Sequence, residues 1–288
     1  MWKFYGSKGK RVSLPIRERV LYIALVMVGF FFIATASLEL IAEGQEYTDA
    51  SSEYEQLREQ YPVMSAYLLA ARQLPPSQET GDDITVQATA LNPEVITNYE
   101  DDPPLITDTL DEEQQDPLAG LAEENPDFVG WISIEGVIDY PIVRGRDNNR
   151  YLWATFTGQR NGSGAIFMDY RNTRGFSESV CLLYGHNMKN GSMFAPLNRY
   201  ADPAYIANHP DIIVVTSDGE VLEYRIFAAK RVLESDEIYD LGFADAESAA
   251  KAFGGAPDGT SNFLLLSTCT PSIEKDDRII VFAANKQY

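Results

Sequence analysis

Between residue 118 and the C-terminus lie eight short runs rich in Val, Ile, Leu, Phe and Tyr, bounded by Gly, Asn, Asp or Pro. They span 128–134, 137–143, 165–168, 180–184, 212–216, 221–232, 263–267 and 278–284. β-Branched and aromatic residues fit a pleated, half-buried surface, and the bounding residues turn the chain. The longest run alternates, with Leu222, Tyr224 and Ile226 on one face and Glu223 and Arg225 on the other. Helical patches at 118–125, 192–199 and 245–253 sit between the runs. Eight strands with few long helices predict a mainly β domain over 118–288, a closed eight-stranded β-barrel with short helices in its loops.

The N-terminal part is organised differently. Residues 1–19 carry Lys3, Lys8, Lys10, Arg11, Arg17 and Arg19 against a single acid, Glu18. Residues 20–38 then hold no charge. At about 1.5 Å per residue such a helix nearly spans a hydrocarbon core of about 30 Å. The basic flank predicts a cytoplasmic N-terminus and an external C-terminal bulk. Ala34-Thr-Ala36 also resembles a signal-peptidase site. The apolar run exceeds the usual signal-peptide core of about 7–15 residues, which favours an uncleaved transmembrane anchor.

Residues 39–74 read as a juxtamembrane helical stalk, with Tyr54, Leu57, Tyr61, Met64, Leu68 and Leu69 at three- and four-residue spacing and Pro62 interrupting it. Residues 75–117 contain Pro-Pro twice and an acidic cluster at 108–116, and no Lys or Arg occurs from Gln73 to Val143. Such a segment buries too little apolar surface to offset its ordering entropy, which predicts a flexible acidic linker. The net charge of −20 excludes a nucleic-acid partner, because phosphate backbones demand clustered Lys and Arg.

The chain has two cysteines and two histidines. Cys181 lies inside an apolar run, where a free thiol behaves as a small buried hydrophobe; a single Cys181–Cys269 bridge is the other possibility. Cys269 closes the run Phe263-Leu-Leu-Leu-Ser-Thr268, a place both rigid and reachable. A reactive thiolate also needs electropositive neighbours. Arg278 follows nine positions later, so a connecting loop would set Cys269 and Arg278 side by side at its base. An arginine there can hold a carbonyl oxygen as it becomes an oxyanion. His186 follows the run 180–184 in Tyr184-Gly-His-Asn187 and suits proton transfer, whereas His209 in Asn208-His-Pro-Asp211 reads as a turn residue. These residues alone leave two readings open: a Cys–His enzyme, or a packing cysteine and a turn histidine with Arg278 paired to Asp276 or Asp277. No zinc-ligand spacing and no glycine-rich phosphate loop is present.

Larger motifs resemble those of class B sortases. Leu183-Tyr-Gly-His-Asn-Met-Lys-Asn-Gly-Ser-Met-Phe194 is similar to the family's histidine segment, and Gly164-Ala-Ile-Phe-Met-Asp-Tyr-Arg-Asn172 to the strand and loop before it. Leu266-Ser-Thr-Cys-Thr270 followed by Arg278 is similar to the cysteine and arginine motif. Gly130-Trp-Ile-Ser-Ile134, Asp139-Tyr-Pro-Ile-Val143 and Asn148-Asn-Arg-Tyr-Leu152 fit in order, so the resemblance covers about 118–288. Pro271 and Ser272 stand where class B members often have an acidic or aromatic residue, and the Cys-to-Arg loop is rather short.

The resemblance implies a sortase-type barrel and a membrane-anchored cysteine transpeptidase on the outer face of a Gram-positive cell. Cys269 would attack the carbonyl after a threonine in a C-terminal sorting signal and form a thioacyl enzyme. His186 would move protons to and from the amines. Arg278 would hold the substrate backbone and the oxyanion, joined by the backbone N–H after Cys269. Ser267 and Thr268 would line the site, and Asn148 and Leu152 match a segment that contacts the sorting peptide in relatives. The partners implied are surface proteins or pilins bearing sorting signals and a peptidoglycan-precursor amine or pilin lysine, with no cofactor and no metal. A cysteine peptidase that only hydrolyses the intermediate, and a non-enzymatic surface binding module, are the alternatives.

Overall fold

A strand forms on each of the eight runs: β1 (Phe128–Ile134), β2 (Ile138–Val143), β3 (Ile166–Met168), β4 (Val180–Tyr184), β5 (Asp211–Thr216), β6 (Val221–Leu233), β7 (Phe263–Cys269) and β8 (Asp277–Asn285). The computed structural model describes residues 15–61, 117–270 and 276–285. The strands close into a barrel in the order β1-β2-β3-β4-β7-β8-β6-β5. Closure removes the unpaired edges that an open sheet of this size would leave. Two neighbours are parallel, β2 with β3 and β4 with β7. Parallel pairing requires long crossovers, and the first crossover, residues 144–165, carries Asn148 and Leu152.

The helices are α1 (Ile16–Gln60), α2 (Pro117–Glu124), α3 (Pro203–Asn208) and α4 (Ala246–Phe253). The patch expected at 192–199 is a 3-10 helix, Ala195–Ala201, with Pro196 in its first turn. Asp245 caps α4: it accepts from the Ser248 N–H at 2.8 Å, and the Ser248 hydroxyl closes the capping box. Helix α4 covers β4, β7 and β8. Ala249 and Phe253 pack on Val180, Leu182, Phe263, Leu265, Ile280, Phe282 and Ala284. Alternation along β7 puts Ser267 and Cys269 on the same face as Phe263 and Leu265. Cys181 is fully buried and, like Cys269, free. Burial pushes its thiol far up, so it stays a packing residue.

The chain divides into two compact units, Met1–Thr48 and Asp49–Tyr288. In the first, Ile16–Leu38 is 23 residues long and apolar enough to cross a membrane, with large side chains such as Phe30, Phe31 and Phe32 exposed.

Part of the stretch read as a juxtamembrane helical stalk over 39–74 lies in the second unit. Residues 49–61 are part of the barrel domain: Ala50, Tyr54, Leu57 and Tyr61 recur at helical spacing and are buried. Their apolar stripe requires a surface to cover it. Residues 1–14, residues 62–74 of that stretch and the acidic linker over 75–116 lie outside the described residues, as do 271–275 between β7 and β8.

The aromatic cluster under α4 has a measurable consequence. Phe253 meets Phe243 and Phe263 edge to face at 5.1 and 5.2 Å and Phe282 at 5.2 Å. Phe253→Ala should cost about 3–5 kcal/mol in chemical denaturation; a loss under about 1 kcal/mol would show that α4 does not seal this face.

Candidate active site

Register alone brings the three candidate residues to one end of three adjacent strands. In the parallel β4·β7 pair Tyr184 faces Ser267. His186 and Cys269 each follow two residues later in the chain. The Gly185 N–H still donates to the Ser267 carbonyl at 3.2 Å, so the two strands run level up to His186. In the antiparallel β7·β8 pair Cys269 stands directly opposite Arg278, as the sequence reading expected. Gly185 is required here, since a Cβ would lie 2.5 Å from Ile166 Cδ1 and 2.7 Å from the Phe194 ring.

Cys269 is half-buried, the last residue of β7, and its carbonyl accepts from Asn198 Nδ2 at 3.3 Å. The backbone N–H after it, expected as an oxyanion donor, has a different partner. Thr270 N–H donates to the Asp277 carbonyl at 3.1 Å, because the ladder continues one residue past Cys269.

Arg278 pairs with a carboxylate from another part of the chain than Asp276 and Asp277. Its Nη2 donates to Glu234 Oε2 at 2.5 Å and its Nη1 to the Asp277 carbonyl at 3.2 Å. Val232 is the cross-strand partner of Arg278, so Glu234 is the diagonal neighbour on the same face. The side chain of Arg278 is 18% exposed and that of Glu234 64%. Such an exposed carboxylate tethers the guanidinium weakly.

His186 Nε2 lies 2.9 Å from the Leu152 carbonyl. A carbonyl only accepts, so Nε2 carries the hydrogen and Nδ1 is the nitrogen left for proton transfer. The indole of Trp153, 57% exposed, flanks the imidazole at 6.2 Å between centroids. Leu152 therefore meets the site through its backbone. Among described residues no group of three or more His, Cys, Asp or Glu is arranged to hold a metal.

Below Cys269 the floor is polar and buried. Ser267 Oγ is 2.8 Å from Tyr239 Oη. Burial pushes the Tyr239 phenol up to about 12, so it stays a neutral donor. Tyr239 stacks on Tyr184, whose hydroxyl donates to Asp169 Oδ2 at 3.0 Å. Asp169 is 0% exposed and also accepts from Arg171 Nε and Nη2 at 2.8 Å each, from the Arg171 N–H at 3.0 Å and from Asn148 Nδ2 at 2.9 Å. Arg171 Nη2 continues to the Tyr239 carbonyl at 2.6 Å, closing a ring of contacts. Asn148 accepts from the Tyr170 N–H at 3.0 Å, so both ends of its amide are held by the protein. Thr268, on the opposite face of β7 from Cys269, is buried and its hydroxyl has no partner.

Sequence reasoning missed Glu234, Tyr239 and Asn198. Glu234 becomes visible only once the β6·β8 register is known. Asp169 and Arg171 stood in a motif, but nothing in their spacing announced a buried pair.

Two outcomes follow from this floor. Burial alone would raise the Asp169 carboxyl, but Arg171 and the other donors outweigh it and hold it below the ordinary carboxylate range. A depressed folded-state value adds stability that is present above the unfolded value and is lost as pH falls through the folded one. Asp169→Asn should therefore cost about 3–5 kcal/mol at neutral pH and less in acid; equal losses at pH 7 and pH 3 in denaturant titrations would contradict this. Tyr239→Phe leaves the Ser267 hydroxyl buried without a partner, a cost of about 1–3 kcal/mol. The double variant Tyr239→Phe/Ser267→Ala should recover part of that loss, and strict additivity in the cycle would deny the contact.

A family model for the sortase domain matches residues 132–286. Sortase B of Listeria monocytogenes is 43% identical over 105 residues, 36% of this chain and 43% of that protein, so the match spans less than half of that relative. Sortase B of Staphylococcus aureus is 27% identical over 179 residues, 57% of this chain and 72% of that protein. The crystal structure of Clostridium perfringens sortase B superposes with a TM-score of 0.53 at 28% identity, covering 59% of this chain and 99% of that one. The chain belongs to the sortase family, and within it to class B.

Proposed function

We propose that this chain is a membrane-anchored cysteine transpeptidase that cleaves a C-terminal sorting signal after a threonine and joins the freed carbonyl to a cell-wall amine or a pilin lysine. The observation that carries this reading is the convergence of Cys269, His186 and Arg278 at one end of β4, β7 and β8. The apolar segment Ile16–Leu38 supports the anchor, and the basic residues before it support a cytoplasmic N-terminus.

Cys269 passes its thiol proton to His186 as Sγ attacks the threonyl carbonyl carbon, and the oxygen gathers the electron pair. Arg278 stabilises that oxyanion through its guanidinium. The C–N bond breaks as His186 gives the leaving amine a proton. The thioacyl enzyme is then attacked by an amine, whose proton passes to His186 and from it to Sγ as the C–S bond breaks, which restores the thiol. Ser267 supports Cys269 from the floor of the site through Tyr239, whereas Thr268, expected to line the site, is turned to the opposite face of β7. Leu152 orients the imidazole through its carbonyl, and Asn148 steadies the 144–165 crossover against which the peptide lies.

Full-length protein in detergent micelles, mixed with a panel of sorting-signal peptides and followed by intact mass spectrometry, tests the reading. A peptide-sized adduct should form, discharge on adding triglycine or diaminopimelate, and be absent in Cys269→Ala. Arg278→Ala should slow its formation about 10²–10³-fold. Discharge by water alone would favour a peptidase. No adduct, with a Cys269 that resists alkylation, would favour a binding module.

A further inference from the structure

Tyr54 is buried in the part of α1 that belongs to the barrel unit. Its hydroxyl donates to the Gly164 carbonyl at 2.8 Å, across 110 residues of chain. Gly164 is one wall of the imidazole's cradle. Its φ is +58°, and a Cβ built on it would lie 2.5 Å from the Tyr151 carbonyl oxygen, 3.1 Å from His186 Cδ2 and 3.1 Å from the Leu152 carbonyl oxygen. That last oxygen is the one bonded by His186 Nε2. Gly164 thus backs both the ring and the acceptor that fixes the ring's rotation.

The same tyrosine reaches the other side of His186. Its ring meets Tyr140 edge to face at 5.1 Å, and the Tyr140 hydroxyl accepts from the Met193 N–H at 3.1 Å. Met193 is bridged to Asn187, and the Phe194 N–H donates to the His186 carbonyl at 3.0 Å. Neighbouring residues hold the helix in place: Glu53 accepts from the Thr157 N–H at 3.0 Å, and Arg58 donates to the Asp139 carbonyl at 3.0 Å.

We propose that Tyr54 is a positioning residue for His186, bracing the imidazole through Gly164 and Tyr140, so that the helix entering the barrel domain sets the geometry of proton transfer. Without the hydroxyl the buried Gly164 carbonyl lacks its partner, and its peptide plane is free to turn. Little room exists for that motion before Gly164 meets Cδ2 or displaces Leu152. Displacement of a reacting group by about 1 Å can cost up to about 100-fold in rate. The activity part of this inference rests on the transpeptidase reading.

Tyr54→Phe keeps the ring and its packing and removes only the hydroxyl, which donates to Gly164 and also meets the Phe156 backbone. In full-length protein in micelles, kcat for peptide transfer should fall about tenfold while KM stays within about twofold. The chain has two histidines, so the imidazole resonances are assignable by difference with His186→Gln. Those of His186 should move in Tyr54→Phe and those of His209 should not. Leu57→Ala loosens the same helix without touching Gly164, and should lower the melting temperature with the His186 resonances in place. Unchanged kcat and resonances in Tyr54→Phe, or an equal shift in Leu57→Ala, would overturn the proposal. Should the wild type transfer no peptide, the transpeptidase reading fails and the resonances alone decide this inference.

Discussion

The in-register parallel pairing of β4 with β7 is the constraint on which the site depends. A histidine and a cysteine separated in sequence by more than eighty residues become level because Tyr184 faces Ser267. A slip of one residue would turn each side chain to the opposite face, and the apolar pattern prevents it. Leu182 and Leu265 must both face the cluster under α4, and Cys181 and Leu264 must both face the other way. Core packing therefore aligns the candidate residues.

The floor beneath Cys269 shows how that alignment is kept stiff. A carboxylate at zero exposure is costly unless its lone pairs are used, and Asp169 uses them on Arg171, Asn148 and Tyr184. These donors come from three places, the 144–165 crossover, the loop after β3 and the end of β4, and Arg171 also donates to the turn that carries Tyr239. Buried ion pairs seldom add net stability over an apolar core. What this one supplies is registry, since Tyr239 is fixed at its carbonyl by Arg171 and at its hydroxyl by Ser267.

Much of this was legible in the sequence, for identifiable reasons. The eight runs became the eight strands with bounds shifted by at most two residues, because turn-forming residues lie close beyond the apolar runs. The Cys269–Arg278 pairing was legible because a short loop between strands implies a hairpin. Partners set by register across distant strands were not legible, which is why Glu234 was missed and Asp276 and Asp277 were considered instead. The stripe Tyr54, Leu57, Tyr61 was seen, but periodicity says that a face is covered and not by what. The Thr270 N–H was expected as an oxyanion donor only through the family resemblance, and resemblance does not show that the ladder runs one residue further.

The pairing of Arg278 with Glu234 bears on how an oxyanion can compete for the guanidinium. Arginine presents five donors in a planar fork, and Glu234 and the Asp277 carbonyl account for two of the contacts. Glu234 is mostly in water, where an ion pair is worth about 0–1 kcal/mol. Arg278 is largely shielded, so a charge developing beside Cys269 would meet it in a less hydrated setting, where the same attraction counts for more. Glu234 thus holds the fork in an extended pose at little cost to release, and the guanidinium can turn toward the stronger anion without leaving the strand that presents it.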